Sequence, residues 1–366
     1  MDSPADPDTL DMMKTFAGLD RTRLEEILDR LGAVRVALLG DLCLDVYWRA
    51  DMTRSELSRE TPHHPLPVVS ETLSPGAGGN VAANLAALRP KRVASLGVIG
   101  RDWRGTALGA ELERAGVDVS GVVVSATATT NAYCKPFRKG ISSVEYEDPR
   151  IDFANHAPLS SDDETRLLAA LDAAAPGLDV LCVSDQFAFG CITPALRQRI
   201  SHHAARGLRV LVDSRDQIGA FEGVFLKPNG LEAKRAAGAA ADPDDAPLGT
   251  LAGTARALAA RTRSSVCMTL GARGCILSDG TTSTHVPTAA IPPPIDFCGA
   301  GDTFLSAFAC ALATGARPEE AAFVADLAAS VTIRKVGTTG TASRDEILAR
   351  FDEIRAAGGG SGEVRA

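Results

Sequence analysis

The chain has 366 residues, 45% of them apolar and 23% charged, enough for one large α/β domain or two smaller ones. Its 46 acidic and 38 basic side chains leave a formal charge of −8, which argues against a nucleic-acid surface but not against small anions, because backbone amides bind these whatever the net charge. Eight cysteines form no C-x-x-C pair and no apolar run reaches the roughly 18 residues of a membrane helix, so a metal cluster, a disulfide framework and a membrane span are all poorly supported, and a reducing cytoplasm is the simplest setting.

Residues 1–20 are acidic and lack an apolar core; they read as a disordered N-terminus rather than a signal peptide. Leu24, Ile27, Leu28 and Leu31 recur at helical spacing over residues 21–31. An apolar run over 34–39 ends in Gly40-Asp41 and predicts a buried first strand. Ligands of open parallel sheets sit at the C-terminal ends of the strands, so Asp41 and Asp45 are candidates to hold polar groups of a substrate. Two strand-like excursions, at about 44–70 and 131–147, interrupt the α/β pattern; alternation over 142–147 favours a small β lid over long loops. Between them, Gly76, Gly78, Gly79 and Asn80 open a helix, either as a glycine turn with an Asn cap or as a close approach to a ligand. Apolar runs at 93–99, 180–183, 210–212 and 266–270 alternate with helical segments at 106–115, 163–174 and 194–205, which predicts a parallel, helix-covered sheet.

Asn229 and Glu232 stand three apart at a helix start. On spacing alone they read best as a capping box; the alternative is a carboxylate supporting Mg²⁺ through water. Thr269, Gly271 and Gly274 form a strand end with a glycine turn, fit either to line a nucleotide or to turn a hairpin. The run Asp296-Phe297-Cys298-Gly299-Ala300-Gly301-Asp302-Thr303-Phe304 passes from small residues into an unbroken apolar segment. It predicts a helix start whose free amides and positive dipole end form an anion hole at Gly299, Ala300 and Gly301. Asp302, in the first turn, is a sensible general base for a hydroxyl attacking a phosphoryl group held alongside; the plainer reading is a favourable helix-terminal acid. The tail at 356–366 is Gly-rich and expected to be flexible.

In this order, Gly40-Asp41 with Asp45, the turn before Asn80, Asn229-Gly230-Leu231-Glu232, Thr269-Leu270-Gly271 and the run ending in Asp302 resemble the ribokinase-like (PfkB) family of carbohydrate kinases. The resemblance implies a three-layer α/β/α sandwich with a mostly parallel central sheet and a small β lid, forming a single kinase domain over 21–355. It implies an ATP-dependent transferase acting on a sugar hydroxyl. Asp302 is then the base and Gly299, Ala300 and Gly301 the anion hole. Asp41, Asp45, Gly78, Gly79 and Asn80 form the sugar site. Asn229, Glu232, Thr269, Gly271, Gly274, Lys335 and Gly337 form the nucleotide site, with Glu232 supporting Mg²⁺. Asp296 matches an acid that helps bind a monovalent cation in many members, but Phe297-Cys298 replace the usual Thr-Thr and remove two hydroxyls from any K⁺ site.

Within the family the likeness is greatest to heptose 7-phosphate kinases, through residues 40–48, 53–69, 212–213, 226–229 and 335–338. Two features depart from that pattern: extra residues around His63 and His64, and Phe189 in place of a lysine. Alternatives within reach are a kinase of another sugar or of a nucleoside, and a catalytically silent sugar- or nucleotide-binding regulator. Basic Arg54, Arg59, Lys135, Arg138 and Lys139 fall in the lid excursions and are candidates for a phosphate on the acceptor; the plainer reading of each is a solvated lid charge. Exposed lid strands suggest a homodimer; neither nucleic acid nor membrane is an expected partner.

Overall fold

The uninterrupted apolar runs become strands buried on both faces, because successive side chains of a strand point to opposite sides. In the strand over Arg35–Gly40, Val36 and Leu38 join one core cluster while Ala37 and Leu39 join the other. The structure, a computed structural model, describes residues 13–142, 144–337 and 339–357.

In chain order the elements are β1 (Met13–Thr15), α1 (Arg21–Asp29), β2 (Arg35–Gly40), β3 (Leu42–Asp51), β4 (Val68–Ala77), α2 (Gly78–Ala87), β5 (Arg92–Gly100), α3 (Trp103–Arg114), β6 (Asp118–Ser125), β7 (Asn131–Lys139), β8 (Glu145–Glu147) and β9 (Ile151–Phe153). There follow α4 (Ser161–Ala174), β10 (Val180–Asp185), α5 (Pro194–Ala205), β11 (Arg209–Ser214), β12 (Phe225–Leu226), α6 (Gly230–Ala237), α7 (Leu248–Thr262), β13 (Ser265–Thr269), β14 (Cys275–Ser278), β15 (Ser283–Val286), α8 (Ala300–Ala313), α9 (Pro318–Thr332) and α10 (Arg344–Ala357).

Ten strands form the central sheet in the order β1-β15-β14-β13-β12-β11-β10-β2-β5-β6. All neighbours are parallel except at β14, which runs antiparallel to β13 and β15. One face is covered by a core that includes α1, α2, α3, α8, α9 and α10, the other by α4, α5, α6 and α7, giving the expected three layers. The strand order reverses at β2, flanked by β5 and β10, so a crevice opens at the C-terminal end of β2.

Over that crevice stands the lid. Its path is β4-β3-β7-β8, with β9 also pairing to β7. The lid grows straight out of the body: β2 and β3 are separated only by Asp41, and β4 runs into α2 without a linker.

Expected disorder to residue 20 is corrected from residue 13 onward. Met13, Lys14 and Thr15 pair in parallel with Ser283, Thr284 and His285, Phe16 lies edge-on to Phe323 at 6.1 Å, and Leu19 is buried. A sheet edge accepts any backbone, so a segment without apolar periodicity can still be ordered on it. The remainder of that expectation, residues 1–12, and the tail from 358 lie outside the described residues, as does Thr338.

Candidate active site

Gly299 ends the loop before α8 with φ 79° and Asp302 occupies the first turn. A β-carbon at Gly299 would lie 2.8 Å from Asn80 Nδ2, so glycine is needed for both its backbone angle and its closeness to α2. That closeness builds the centre of the site. Asn80 Nδ2 donates to Asp302 Oδ2 at 2.7 Å. Asn84, one turn further along α2, donates to the Asn80 carbonyl (2.9 Å) and side-chain oxygen (3.2 Å), and accepts from Thr303 Oγ1 at 2.8 Å. The chain Thr303–Asn84–Asn80–Asp302 fixes the amide of Asn80 with its NH₂ toward the carboxylate.

Burial pushes the Asp302 carboxyl up to about 7. The Asn80 hydrogen bond and the Lys227 ammonium pull it down; the Asp213 and Asp45 carboxylates push it further up. A base of that strength is matched to neutral pH.

Lys227 has no place in the expected site, and the structure puts it there. It follows β12, is almost wholly buried, and its Nζ pairs with Asp213 Oδ2 at 3.1 Å. A β-carbon on Gly301 would stand 3.7 Å from that Nζ, so the ammonium lies over the first turn of α8, beside the Gly301 amide. The expected anion-hole role of Ala300 is corrected: its amide donates to Phe297 O at 3.2 Å, because the turn at Gly299 brings that carbonyl within reach. Its pKa is held above the usual lysine value: burial works against the charge, but Asp213 and Glu232 outweigh it. The signal for Lys227 was the one that picked out Asp41, a polar residue directly after a buried strand at the ligand end of a parallel sheet.

Asn229 and Glu232 form the full capping box of α6. Glu232 N donates to Asn229 Oδ1 (2.9 Å), while Asn229 N and Nδ2 donate to Glu232 Oε2 (2.8 Å) and Oε1 (2.9 Å). Burial and the Asp213 charge raise the Glu232 carboxyl above its ordinary value, with Lys227 opposing them. The plainer reading of this pair is therefore realised. An acid facing Asp213 and Lys227 still suits Mg²⁺ held through water, although the described residues contain no cluster of three or more His, Cys, Asp or Glu able to grip a metal directly.

The two acids after β2 separate. Asp41 Oδ2 accepts from the amides of Gln186 and Phe187, both 2.8 Å, and Oδ1 from Cys191 N at 2.7 Å. It clamps the β10–α5 loop, so its expected role as a direct sugar contact is corrected. The physical reason is its position at the strand-to-strand corner, where the side chain turns into the body. A β-carbon at Gly190 would fall 2.3 Å from Asp41 Oδ2, so only glycine lets this loop close on the acid. Asp45 belongs to the cleft. In β3 it shares a face with Tyr47, across from Tyr133 and Lys135 on β7. Lys135 Nζ donates to Asp45 Oδ2 and to Tyr47 Oη, both 3.2 Å, and lies 4.7 Å from the Tyr47 ring centre. Asp45 Oδ1 is buried without a partner among the described residues. Gly78 and Gly79 start α2, and Gly78 N donates to the Asp41 carbonyl at 2.8 Å. Phe189 borders a cavity of about 390 Å³ that Asp41 also lines, and among the described residues its lining holds no lysine or arginine.

On the opposite side of Asp302 a slot of about 210 Å³ starts at Ala300 and Gly301. Thr269, Gly271 and Gly274 line it, together with Phe304 and Ile333. Lys335 is not part of it. Its Nζ donates to Thr341 O (2.7 Å) and Glu346 Oε1 (2.6 Å), because the acid at the start of α10 is the nearer partner, and its expected nucleotide contact is corrected. Asp296 accepts from Cys298 N at 2.9 Å and Gly337 N at 3.1 Å, tying together the loops before α8 and after α9. With both oxygens on backbone amides and a thiol at 298, nothing here favours a monovalent cation.

A helix-covered, mostly parallel sheet with a β lid over a crevice that holds a helix start defines the ribokinase-like fold. Solved structures share the fold. Ribokinase from Arabidopsis thaliana, complexed with ribose and ATP, superposes with a TM-score of 0.64 at 19% identity over 87% of this chain and 98% of its own. Phosphofructokinase-2 from Escherichia coli gives 0.67 at 21% over 87% and 99%. The chain belongs to the pfkB family of carbohydrate kinases, matched over residues 45–147 and 216–345. The bifunctional protein HldE of Caulobacter sp. (strain K31) is 37% identical over 86% of this chain and 62% of the relative. That of Geobacter sulfurreducens is 33% identical over 90% and 65%. The chain spans less than two thirds of the length of these relatives. No described helix is long and apolar enough to cross a membrane.

Proposed function

We propose that the acceptor is heptose 7-phosphate, phosphorylated at its anomeric hydroxyl, with Asp302 as the base. The observation that carries the chemistry is the half-buried Asp302 carboxylate, raised to about 7 and held by Asn80 beside the start of α8. Likeness to heptose 7-phosphate kinases over residues 40–48 and 53–69 supports the choice of sugar.

The acceptor hydroxyl seats between Asp302 and the Asp45–Lys135 pair, with Asn80 contacting a neighbouring hydroxyl. Asp302 takes the hydroxyl proton as the oxygen attacks the γ-phosphorus, and the bond from that phosphorus to the oxygen bridging to the β-phosphate breaks, so that ADP leaves. The amides of Gly299 and Gly301 and the Lys227 ammonium face the charge on the transferring group; one such donor is typically worth ~10²–10³ in rate. Glu232, with Asn229, would hold Mg²⁺ through water, and that ion supplies charge neutralisation on the phosphates. The lid face bearing Asp45, Tyr47 and Lys135 excludes water from the acceptor side. The free edge of the lid at β4, with Val68 and Val69 exposed, is the surface we assign to homodimer contact, to be checked by sedimentation.

The test is ADP release across hexoses, heptoses, their phosphates and nucleosides. Turnover concentrated on heptose 7-phosphate is expected. Turnover of nucleosides alone would replace the sugar reading, and nucleotide binding without any ADP release would make the protein a regulator.

A further inference from the structure

The slot beginning at Ala300 and Gly301 ends at a carboxylate. Among the described residues, Asp326, on α9, is the single charged side chain in its lining. Every hydroxyl in that lining is already donating to the protein. Thr269 Oγ1 donates to Pro228 O (3.5 Å), Ser330 Oγ to Leu327 O (2.7 Å) and Thr288 Oγ1 to Asp326 Oδ2 (2.5 Å). Asp326 Oδ1 has no hydrogen-bond partner among the described residues, and no ion pair is formed by this acid. A carboxylate in an otherwise apolar wall carries a desolvation cost, and tying down Thr288 needs only one acceptor oxygen. The second oxygen is left, among the described residues, as a bare acceptor on a side chain that lines the slot.

We infer that Asp326 selects the nucleobase: its free oxygen accepts a hydrogen bond from the 6-amino group of adenine and disfavours a base that presents a carbonyl at that edge. This rests on the reading that the nucleotide base occupies the slot, with its phosphates at the α8 start. One free oxygen suits one donor. Guanine, whose N1–H and 2-amino groups would need two acceptors side by side, finds one of them already taken by Thr288. A carbonyl in place of the amino group meets lone pairs with lone pairs, so the site rejects as well as attracts. Although burial raises the Asp326 carboxyl to about 6, it is ionised, and an acceptor only, at pH 8.

The test is equilibrium titration of the full chain at pH 8 with ATP, with inosine triphosphate, which carries the 6-carbonyl, and with purine riboside triphosphate, which lacks the 6-substituent. ATP is expected to bind at least ~10-fold more tightly than either analogue, the usual scale of one charge-assisted hydrogen bond. Asp326→Asn is expected to bring ATP and inosine triphosphate within about threefold of each other, because an amide can turn its NH₂ toward a carbonyl. Equal binding of the three nucleotides by the unmodified protein overturns the inference, as does an unchanged ratio in a folded Asp326→Asn variant. The analogue series on the unmodified protein decides the matter even if the variant does not fold. Base preference without any sugar phosphorylation leaves the inference standing while the kinase acceptor falls. Absence of binding by all three nucleotides overturns both.

Discussion

On the lid side of Asp302 stand Asp45, Lys135, Tyr47 and Asn80, every one ionic or hydrogen-bonding; on the other side the wall from Gly271 to Ile333 is mostly apolar and holds one carboxylate. The first half is assembled from three separate elements, β3, β7 and α2, whereas the second is a slot beside α8 and α9 lined largely by small residues. The contrast shows how labour divides in the cleft. Apolar area can hold a flat base with little directional chemistry, but a reacting hydroxyl needs charges at fixed positions, which costs stability. Asp302 and Lys227 sit where these halves meet.

The largest break in this contrast is Asp302→Asn. Turnover is expected to fall ~10²–10⁴-fold, the usual worth of a positioned base, with the KM for ATP changed only slightly, as read by coupled ADP release. In the unmodified enzyme kcat/KM is expected to climb as pH rises through about 7, where Asp302 loses its proton. Stability moves the other way. The folded-state value lies above the ordinary 3.8, so the folded protein keeps a proton that the unfolded chain has released, and stability drains as pH rises from about 4 to about 7. Asp302→Asn is therefore expected to melt higher than the parent at pH 8 and level with it near pH 4 by calorimetry.

Lys227→Met comes next. It removes a cation from the anion hole and strands the Asp213 carboxylate. A ~10²–10³-fold loss of kcat is expected, with a stability loss of ~3–5 kcal/mol in denaturant titrations. Because Lys227 helps hold Asp302 ionised, the rising limb of the pH profile shifts to more alkaline pH. Asp45→Asn tests the acceptor half alone. The KM for the sugar is expected to rise ~10–100-fold, one or two lost charged hydrogen bonds, while the KM for ATP stays put. The smallest effect belongs to Lys335→Ala, expected to leave the KM for ATP within about twofold and to cost under ~1 kcal/mol, since its ion pair with Glu346 is partly exposed.

What could be read in the sequence depended on how local each role is. The anion hole and Asp302 lie within four consecutive residues, and a helix start needs no tertiary partner to declare itself. The layered fold was equally plain, because strands buried on both faces have to be uninterrupted apolar runs. Lys227 was hidden because its meaning is an approach to Gly301 from 74 positions away, and the flanking Pro228-Asn229 reads as the opening of a capped helix. Asn84 was hidden inside an apolar helix, where an amide looks like an ordinary tolerated polar residue. The order of Asp41 and Asp45 was a matter of direction: period-two alternation along β3 puts Asp45 with Tyr47 in the cleft, but a corner residue obeys no such period.

Asp41 also fixes how the lid is hung. It is the only residue between β2 and β3, its carbonyl receives the amide of Gly78 where β4 becomes α2, and its carboxylate holds the β10–α5 loop by three amides. Both chain crossings into β3 and out of β4 thus meet at one bonded pair of backbones with no slack, and Ala77 beside them adopts φ 46°, a rare angle for a residue with a side chain. A joint of this kind transmits torque instead of absorbing it. A tilt of β3 and β4 about the body is therefore expected to carry the loop from Gln186 to Cys191 with it, through the three amides bonded to Asp41.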